Sequence, residues 1–358
     1  MTIRTDIHLP VHPDEDPLRL TGRRLPRSAP IGSLAVGLLV GLFVQLTGVT
    51  IIGLAPVVVA VATFLLVYTG WTLAVEGRRH ARDRLATALI YSAATLALVP
   101  LAWILVTVVL NGVTVLSPQF LLADTMRNVN PRAAGGGIAH AVLGTVQQVG
   151  IATLISVPIG LLTAIYLSEY GRGKLARSIN FFVDVMTGIP SIVAGMFIYT
   201  FWILTLGFPQ SGFAAGLALT ILMVPVVVRS AEEMLRIVPN ELREGALALG
   251  IPKYRVIVKV VLPTAISGII TGAMLAIARV TGETAPLLLT TFLAQDVNWN
   301  AFDGSQASLP TFIWDQIARG TQSSLDRAWA GALALILIVV AFYATARILA
   351  ARYAPKEH

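Results

Sequence analysis

Residues 28–75 read SAPIGSLAVGLLVGLFVQLTGVTIIGLAPVVVAVATFLLVYTGWTLAV, and no Asp, Glu, Lys or Arg interrupts them. At about 1.5 Å of rise per residue this stretch is long enough for two helical crossings of a ~30 Å hydrocarbon layer joined by a tight turn. Gly48, Gly53 and Pro56 mark the turn. Similar windows recur at 85–110, 138–168, 179–206, 213–228, 262–291 and 328–349, which predicts an all-α polytopic membrane protein of eight spans. The whole chain agrees: 358 residues, 56% hydrophobic and 13% charged, with mean hydropathy +0.77, are too apolar for a single soluble core.

A net charge of +7 and a pI near 10.0 would point a soluble protein toward nucleic acid, but here the basic residues lie between apolar spans. With the amino terminus inside, the inner loops and tails hold 21 of the 26 Lys and Arg, the outer loops hold Arg127, Arg132, Arg319 and Arg327, and Arg279 alone lies within a span. The positive-inside rule therefore places both termini in the cytoplasm. Residues 1–30, rich in Pro and Arg, lack the apolar stretch of a signal peptide and read as a disordered cytoplasmic tail; 351–358 read as a second tail. Without Cys there are no disulfides, thiolate metal sites or Cys nucleophiles, and the five scattered His form no close metal-binding pair. The outer loops 111–137 and 295–325 read as docking or gating surfaces.

The inside stretch 239–257 reads as two short helices. Pro239 and Asn240 start the first, with Asn240 as N-cap and Glu241 and Glu244 suiting its positive end. Gly250 stops it, and Pro252 fits the first turn of the next. Gly245, Ala246 and Gly250 make a small-sided surface suited to a partner's groove, though spacing alone equally allows a plain linking hairpin. No Gly-x4-Gly-Lys-Ser/Thr occurs in the chain, so nucleotide hydrolysis would belong to another polypeptide; Gly171–Lys174 reads as a basic inner loop.

Arg279 lies near the middle of the 262–291 span, where an Arg costs at least ~2.5 kcal/mol. Glu283, four residues on, shares its helical face, while Gly282 and Pro286 disturb the backbone. One reading is a self-neutralised pair that locks helices together. The other is anion handling, because a guanidinium stays charged and its fork matches two phosphate oxygens. Glu283 would then orient Arg279 and favour an oxyanion that still carries a proton, as phosphate does and sulfate does not. Arg229, four residues after Pro225, is either a second cation on the path or a snorkelling anchor at an inside helix end. Asp184 reads as structural, capping a helix broken around Gly188, Ile189 and Pro190. Gly135, Gly136 and Gly137 read as a hinge in preference to an anion nest.

The run Glu244, Gly245, Ala246, Gly250, then Val260, Val261, Leu262 and Pro263 resembles the EAA loop of ABC importer permeases, with Gly245 replacing the second Ala. The run from Ala278 through Arg279, Gly282, Glu283 and Pro286 to Leu288 resembles the signature of the PstA permeases of phosphate-specific ABC importers. Similar to that family too are Gly136–Ile138 with Gly144 and Thr145; Val157–Gly160; Pro190–Val193; Glu232–Arg236 with Val238 and Pro239; and Ser308–Pro310. The resemblance implies a type I ABC permease core of six helices over 85–350 and leaves the hairpin 31–75 outside the pattern as an extra element. It further implies a PstC-type permease as heterodimer partner, a PstB-type ATPase dimer that holds ATP and Mg and contacts Glu244, and a PstS-type phosphate-binding protein outside. This chain would bind no cofactor and catalyse no covalent step. Arg279, Glu283 and Arg229 would match the family's functional residues, with inorganic phosphate as substrate. The alternatives are an ABC permease for another oxyanion, such as phosphonate or molybdate, and a membrane scaffold for phosphate-sensing signalling.

Overall fold

A computed structural model describes residues 24–47, 55–123, 136–291 and 293–353, and every regular element among them is a helix. The chain divides into two compact units, the first ending at Ile104 and the second beginning at Leu105.

The first unit holds α1 (Ala29–Leu46), α2 (Ala55–Glu76) and the start of α3 (Arg78–Gly112). Pro30 sits in the first turn of α1, where its missing N–H has no helical partner to lose. The buried residues of α1 are Ala29, Ser33, Gly37 and Gly41, one stripe at intervals of four. A Cβ on Gly37 would stand 2.5 Å from the Ala60 carbonyl oxygen, and one on Gly41 2.7 Å from that of Pro56, so α1 and α2 pack backbone against backbone. The Glu76 carboxylate, only 2% exposed, accepts from Arg84 Nη2 (2.7 Å) and from the Leu25 N–H (2.5 Å), while Arg84 Nη1 donates to Tyr68 Oη (3.1 Å). Leu25 and Ala29 are buried with Tyr68 and Ala88, which corrects the expected tail of 1–30: its last residues are packed. Gly48 and Gly53 lie outside the described residues, and Pro56 stands in the first turn of α2.

The second unit is built around α8 (Gly212–Ile237), whose apolar window is 61% buried against 28–39% for the other long helices packed in this unit. Against α8 lie α5 (Ala139–Ile165, running on as a π-helical turn to Tyr170), α6 (Lys174–Thr187), α7 (Ser191–Ile198, extended as a π-helix to Thr205), α11 (Leu262–Thr281) and α12 (Ala285–Thr290). Val149, Ala152, Leu219, Met223, Ala276 and Leu287 form the shared core. At Gly216 a Cβ would come within 2.6 Å of Ile151 Cγ2, so the missing side chain makes room for Ile151 of α5 against α8. The remaining elements are α4 (Pro118–Leu122), α9 (Asn240–Ala248), α10 (Lys253–Val256), α13 (Leu309–Arg319) and α14 (Gln322–Tyr353). Large apolar side chains stand exposed along α3, among them Trp103 and Leu110, as expected of surface solvated by lipid.

Seven described helices are long and apolar enough to span; an eighth span is counted only if α6 and α7 are joined across a 106° bend. The span read at 179–206, with a break expected around Gly188, Ile189 and Pro190, is a pair of helices that part there. Pro190, extended at ψ 137°, cannot continue α6, whose own sequence carries Lys174, Arg177 and Asp184. The 262–291 span is likewise two helices, α11 and α12, and α11 continues inward without interruption through a π-helical turn to Lys253. The helix read at 213–228 extends to Ile237, with Arg229 and Arg236 both paired to Glu232 and Arg229 also to Asp184 of α6. Arg327, read as an outer-loop residue, is a 2% exposed residue of α14 whose Nε donates to Gln316 Oε1 (2.9 Å). The carboxyl-terminal tail begins later than read, since α14 reaches Tyr353. Arg127, Arg132 and Gly135 lie outside the described residues.

The tightest contact beside the helix break is Gly195 of α7, where a Cβ would meet Pro286 Cα at 2.5 Å. Gly195→Ala should destabilise the detergent-purified protein by about 1–3 kcal/mol, the usual cost of overpacking. Gly245→Ala, where nothing lies within 4 Å, should hold or raise stability through helix propensity. Thermal unfolding of both variants beside the parent checks the pair.

Candidate functional site

Three groups of sequence-predicted residues fall in three places. The first is the break between α11 and α12. Helix α11 stops at Thr281 because Pro286 has no N–H for the Gly282 carbonyl and its ring would crowd that oxygen. The break is finished by short bonds: Gly282 N–H to Arg279 O (3.3 Å), Glu283 N–H to Val280 O (3.2 Å) and Leu287 N–H to Thr284 O (3.1 Å). Helix α12 is then pinned from its far end, since Ser211 N–H donates to Thr290 O (3.2 Å), Gln306 N–H to Thr291 O (3.3 Å) and Gln210 Nε2 to Leu289 O (3.1 Å).

Arg279 stands in the last turn of α11, not at mid-span, and its cation faces the negative end of that helix dipole. Its side chain is exposed and that of Glu283 partly so; among the described residues no ion pair joins them. The expected pairing on one helical face is corrected: the helix ends between the two residues, so the four-residue spacing no longer brings them together. What remains is a permanent cation in an apolar bundle without a neutralising carboxylate, an arrangement that suits an anionic visitor.

The second place is the inner half of α8. Arg229 Nη2 meets Asp184 Oδ1 at 2.5 Å, Nη1 meets Glu232 Oε2 at 2.8 Å and Asn180 Oδ1 at 3.0 Å, and Arg236 Nη2 reaches the other oxygen of Glu232 at 2.6 Å. Glu232 is 3% exposed, so a buried carboxylate is shared by two guanidinium groups. Asp184 thus ties α6 to α8 instead of capping the broken helix. Ser230, beside Arg229, packs on Gly272 of α11, and Arg279 lies seven residues farther along that helix, about 10 Å of rise. Arg229 and Arg279 are separate sites, one saturated by carboxylates and the other open.

The third place is the inner loop. No residue of α9 is buried; Glu244 and Gly245 are exposed, and Leu242, Leu249 and Tyr254 present apolar surface. Gly250 has φ +74°, the left-handed conformation that ends a helix at glycine. Two details differ from expectation. Asn240 is the first helical residue and makes no cap; its Oδ1 accepts from Arg243 Nη1 (3.1 Å), and Pro239 and Pro252 are the N-caps. Ala246 is partly buried on the cluster around Leu235, Val238 and Val256, so the open surface of this loop consists of Glu244, Gly245 and the exposed leucines.

Sequence reasoning also missed a polar layer toward the other end of the bundle. Gln306, 2% exposed, donates through Nε2 to Gln147 Oε1 (2.5 Å) and Asn298 O (3.1 Å), and Gln148 Nε2 approaches Gln306 Oε1 (3.4 Å). Thr145 accepts from the Leu309 N–H (2.8 Å) as α13 begins under a Ser308–Thr311 capping box. The one signal available was the Ser308–Pro310 run, which marks a helix start.

A family model described as the binding-protein-dependent transport system inner membrane component matches residues 156–356. The phosphate transport system permease protein PstA 1 of Mycobacterium tuberculosis (strain CDC 1551 / Oshkosh) is 45% identical over 262 residues, 73% of this chain and 86% of the relative. PstA of Mycobacterium leprae (strain TN) is 46% identical over 278 residues, 77% and 91%, and that of Pasteurella multocida (strain Pm70) 39% over 271 residues, 75% and 95%. Among solved structures, a chain of the inward-facing MetNI methionine ABC transporter is similar with TM-score 0.48 and 19% identity, over 61% of this chain and 95% of that one. By the matched model and by these relatives, the chain belongs to the PstA family of binding-protein-dependent transport system inner membrane components.

Proposed function

We propose that this chain is the transmembrane permease subunit of an ATP-driven importer that conducts inorganic phosphate across the cytoplasmic membrane by alternating access. The observation that carries the reading is Arg279, an exposed guanidinium at a helix break in an apolar bundle, with no carboxylate paired to it among the described residues. The relatives named as phosphate transport permeases supply the substrate. Phosphate offers two oxygens to the guanidinium fork and, when protonated, a hydroxyl that Glu283 can accept. Arg279 closes α11 and Pro286 opens α12, which is pinned at its far end, so the cation stands at the junction between the two helices.

The excess of Lys and Arg on the α9 side supports an orientation with that loop and both termini in the cytoplasm of a bacterial cell, across its inner membrane. There Glu244, Gly245 and the exposed leucines suit a groove on a PstB-type ATPase dimer, which would hold ATP and Mg and do the hydrolysis. A PstC-type permease would complete the pathway, and a PstS-type receptor would deliver phosphate outside. Arg229 serves as a tie between α6 and α8 that becomes available to substrate only when Asp184 releases it.

Arg279→Gln should lower phosphate uptake in cells at least tenfold, the consequence of losing a charge-assisted contact of about 1.5–3 kcal/mol. The variant should still co-purify with the ATPase; wild-type uptake would remove the assignment, and lost assembly would make Arg279 structural. Glu283→Gln should shift the ratio of phosphate to sulfate uptake, measured with both labelled anions in competition, and an unchanged ratio would strike Glu283 from selectivity. Excess phosphonate or molybdate should leave labelled phosphate uptake intact.

A further inference from the structure

We propose that Arg243 is a positioning residue that makes the inner loop move as one body with α5 and α8, so that displacement of α9 reaches the membrane helices. The inference rests on α9 as the element that meets the ATPase. Helix α9 has no buried residue, so apolar packing gives it little hold on the bundle. Arg243 supplies that hold with three bonds to the bundle and a fourth, within α9, that orients its guanidinium. Its Nε donates to Glu169 Oε1 at 3.0 Å, Nη2 to Leu235 O at 2.7 Å, and Nη1 to Val238 O at 2.5 Å and Asn240 Oδ1 at 3.1 Å. The ion-paired side chains are 16% and 8% exposed, so water competes little for them. Leu235 and Val238 lie at the end of α8, where carbonyls lack helical partners, and Glu169 lies in the π-helical turn that ends α5. One side chain therefore joins three helix ends.

A second tie lies on the other side of the Gly250 turn. Lys253 Nζ donates to the Glu169 carbonyl and sits 4.6 Å above the Tyr170 ring. Both short helices of the loop are thus fastened to Glu169, in the turn that ends α5. Between them is a cavity of about 190 Å³ lined by Glu169, Asn240, Arg243, Glu244, Leu247 and Lys253. Close packing does not fill this space, so the polar ties bridge it and transmit motion.

The test uses the complete importer with its partner subunits in proteoliposomes, comparing the parent with Arg243→Met, Glu169→Gln and Arg243→Lys. Since the chain has no Cys, Glu241→Cys on α9 and Leu162→Cys, exposed on α5, can carry spin labels at defined places. In the parent the distance between the labels should be the same without nucleotide and with bound ATP. In Arg243→Met and Glu169→Gln it should change with ATP, and phosphate taken up per ATP hydrolysed should fall at least tenfold, with Arg243→Lys recovering part of both. A parent distance that changes with ATP, or variants that keep the parent's distance and ratio, would overturn the proposal. If Arg243→Met fails to assemble, Glu169→Gln decides by the same two readouts. A parent complex that moves α9 and α5 together yet takes up no phosphate would overturn the substrate and leave this inference standing.

Discussion

In hydrocarbon no water stands ready to accept or donate a hydrogen bond, so each point at which a helix stops must bring its own partner for the stranded backbone groups. The architecture follows from that demand. Where α12 ends, Ser211 and Gln306 donate backbone N–H groups to Thr290 and Thr291, and the Gln210 side chain reaches Leu289. Where α8 ends, the guanidinium of Arg243 covers Leu235 and Val238. Within the bundle, hydroxyls such as those of Thr281 and Thr290 bond back to carbonyls four residues earlier and so satisfy themselves. The end of α12 is supported by distant parts of the chain, whereas Arg243 supports the end of α8 from only five and eight residues away.

That dependence explains how much was legible in the sequence. Long apolar runs announce spanning helices directly, because length and hydropathy are local properties, and most predicted spans have a helix where expected. The two breaks were marked by Gly188, Pro190, Gly282 and Pro286, and a disturbed backbone was expected at both, yet hydropathy continues across them and hides the 106° bend between α6 and α7 and the full stop of α11 at Thr281. The limit of α8 was misplaced for the opposite reason: Arg229, Glu232 and Arg236 look like the edge of a membrane segment until their mutual pairing is seen. Glu169 and Arg243 are 74 residues apart, and no spacing rule connects them. Gln147, Gln148 and Gln306 escaped notice for the same reason.

The candidate site shows the same division. Arg279 and Glu283 stood out because charge in an apolar run is conspicuous whatever the fold. Their relation to each other was misread, since a helical spacing argument holds only while the helix continues. Asn240 is a comparable case: a residue favoured at helix starts is used here to orient an arginine three positions later. In both instances one local preference was overruled by another, the break that Pro286 imposes after Thr281 and the arginine one turn beyond Asn240.

The inner cluster of α6 and α8 bears on how an anion leaves. Asp184, Arg229, Glu232 and Arg236 alternate in sign and cancel, so at a distance their fields largely offset one another. In the proposed function, an anion drawn in by Arg279, unpaired among the described residues, would meet no comparable well at that level. A shallow potential there would favour rapid departure over retention, the behaviour a carrier needs if its turnover is not to be limited by release.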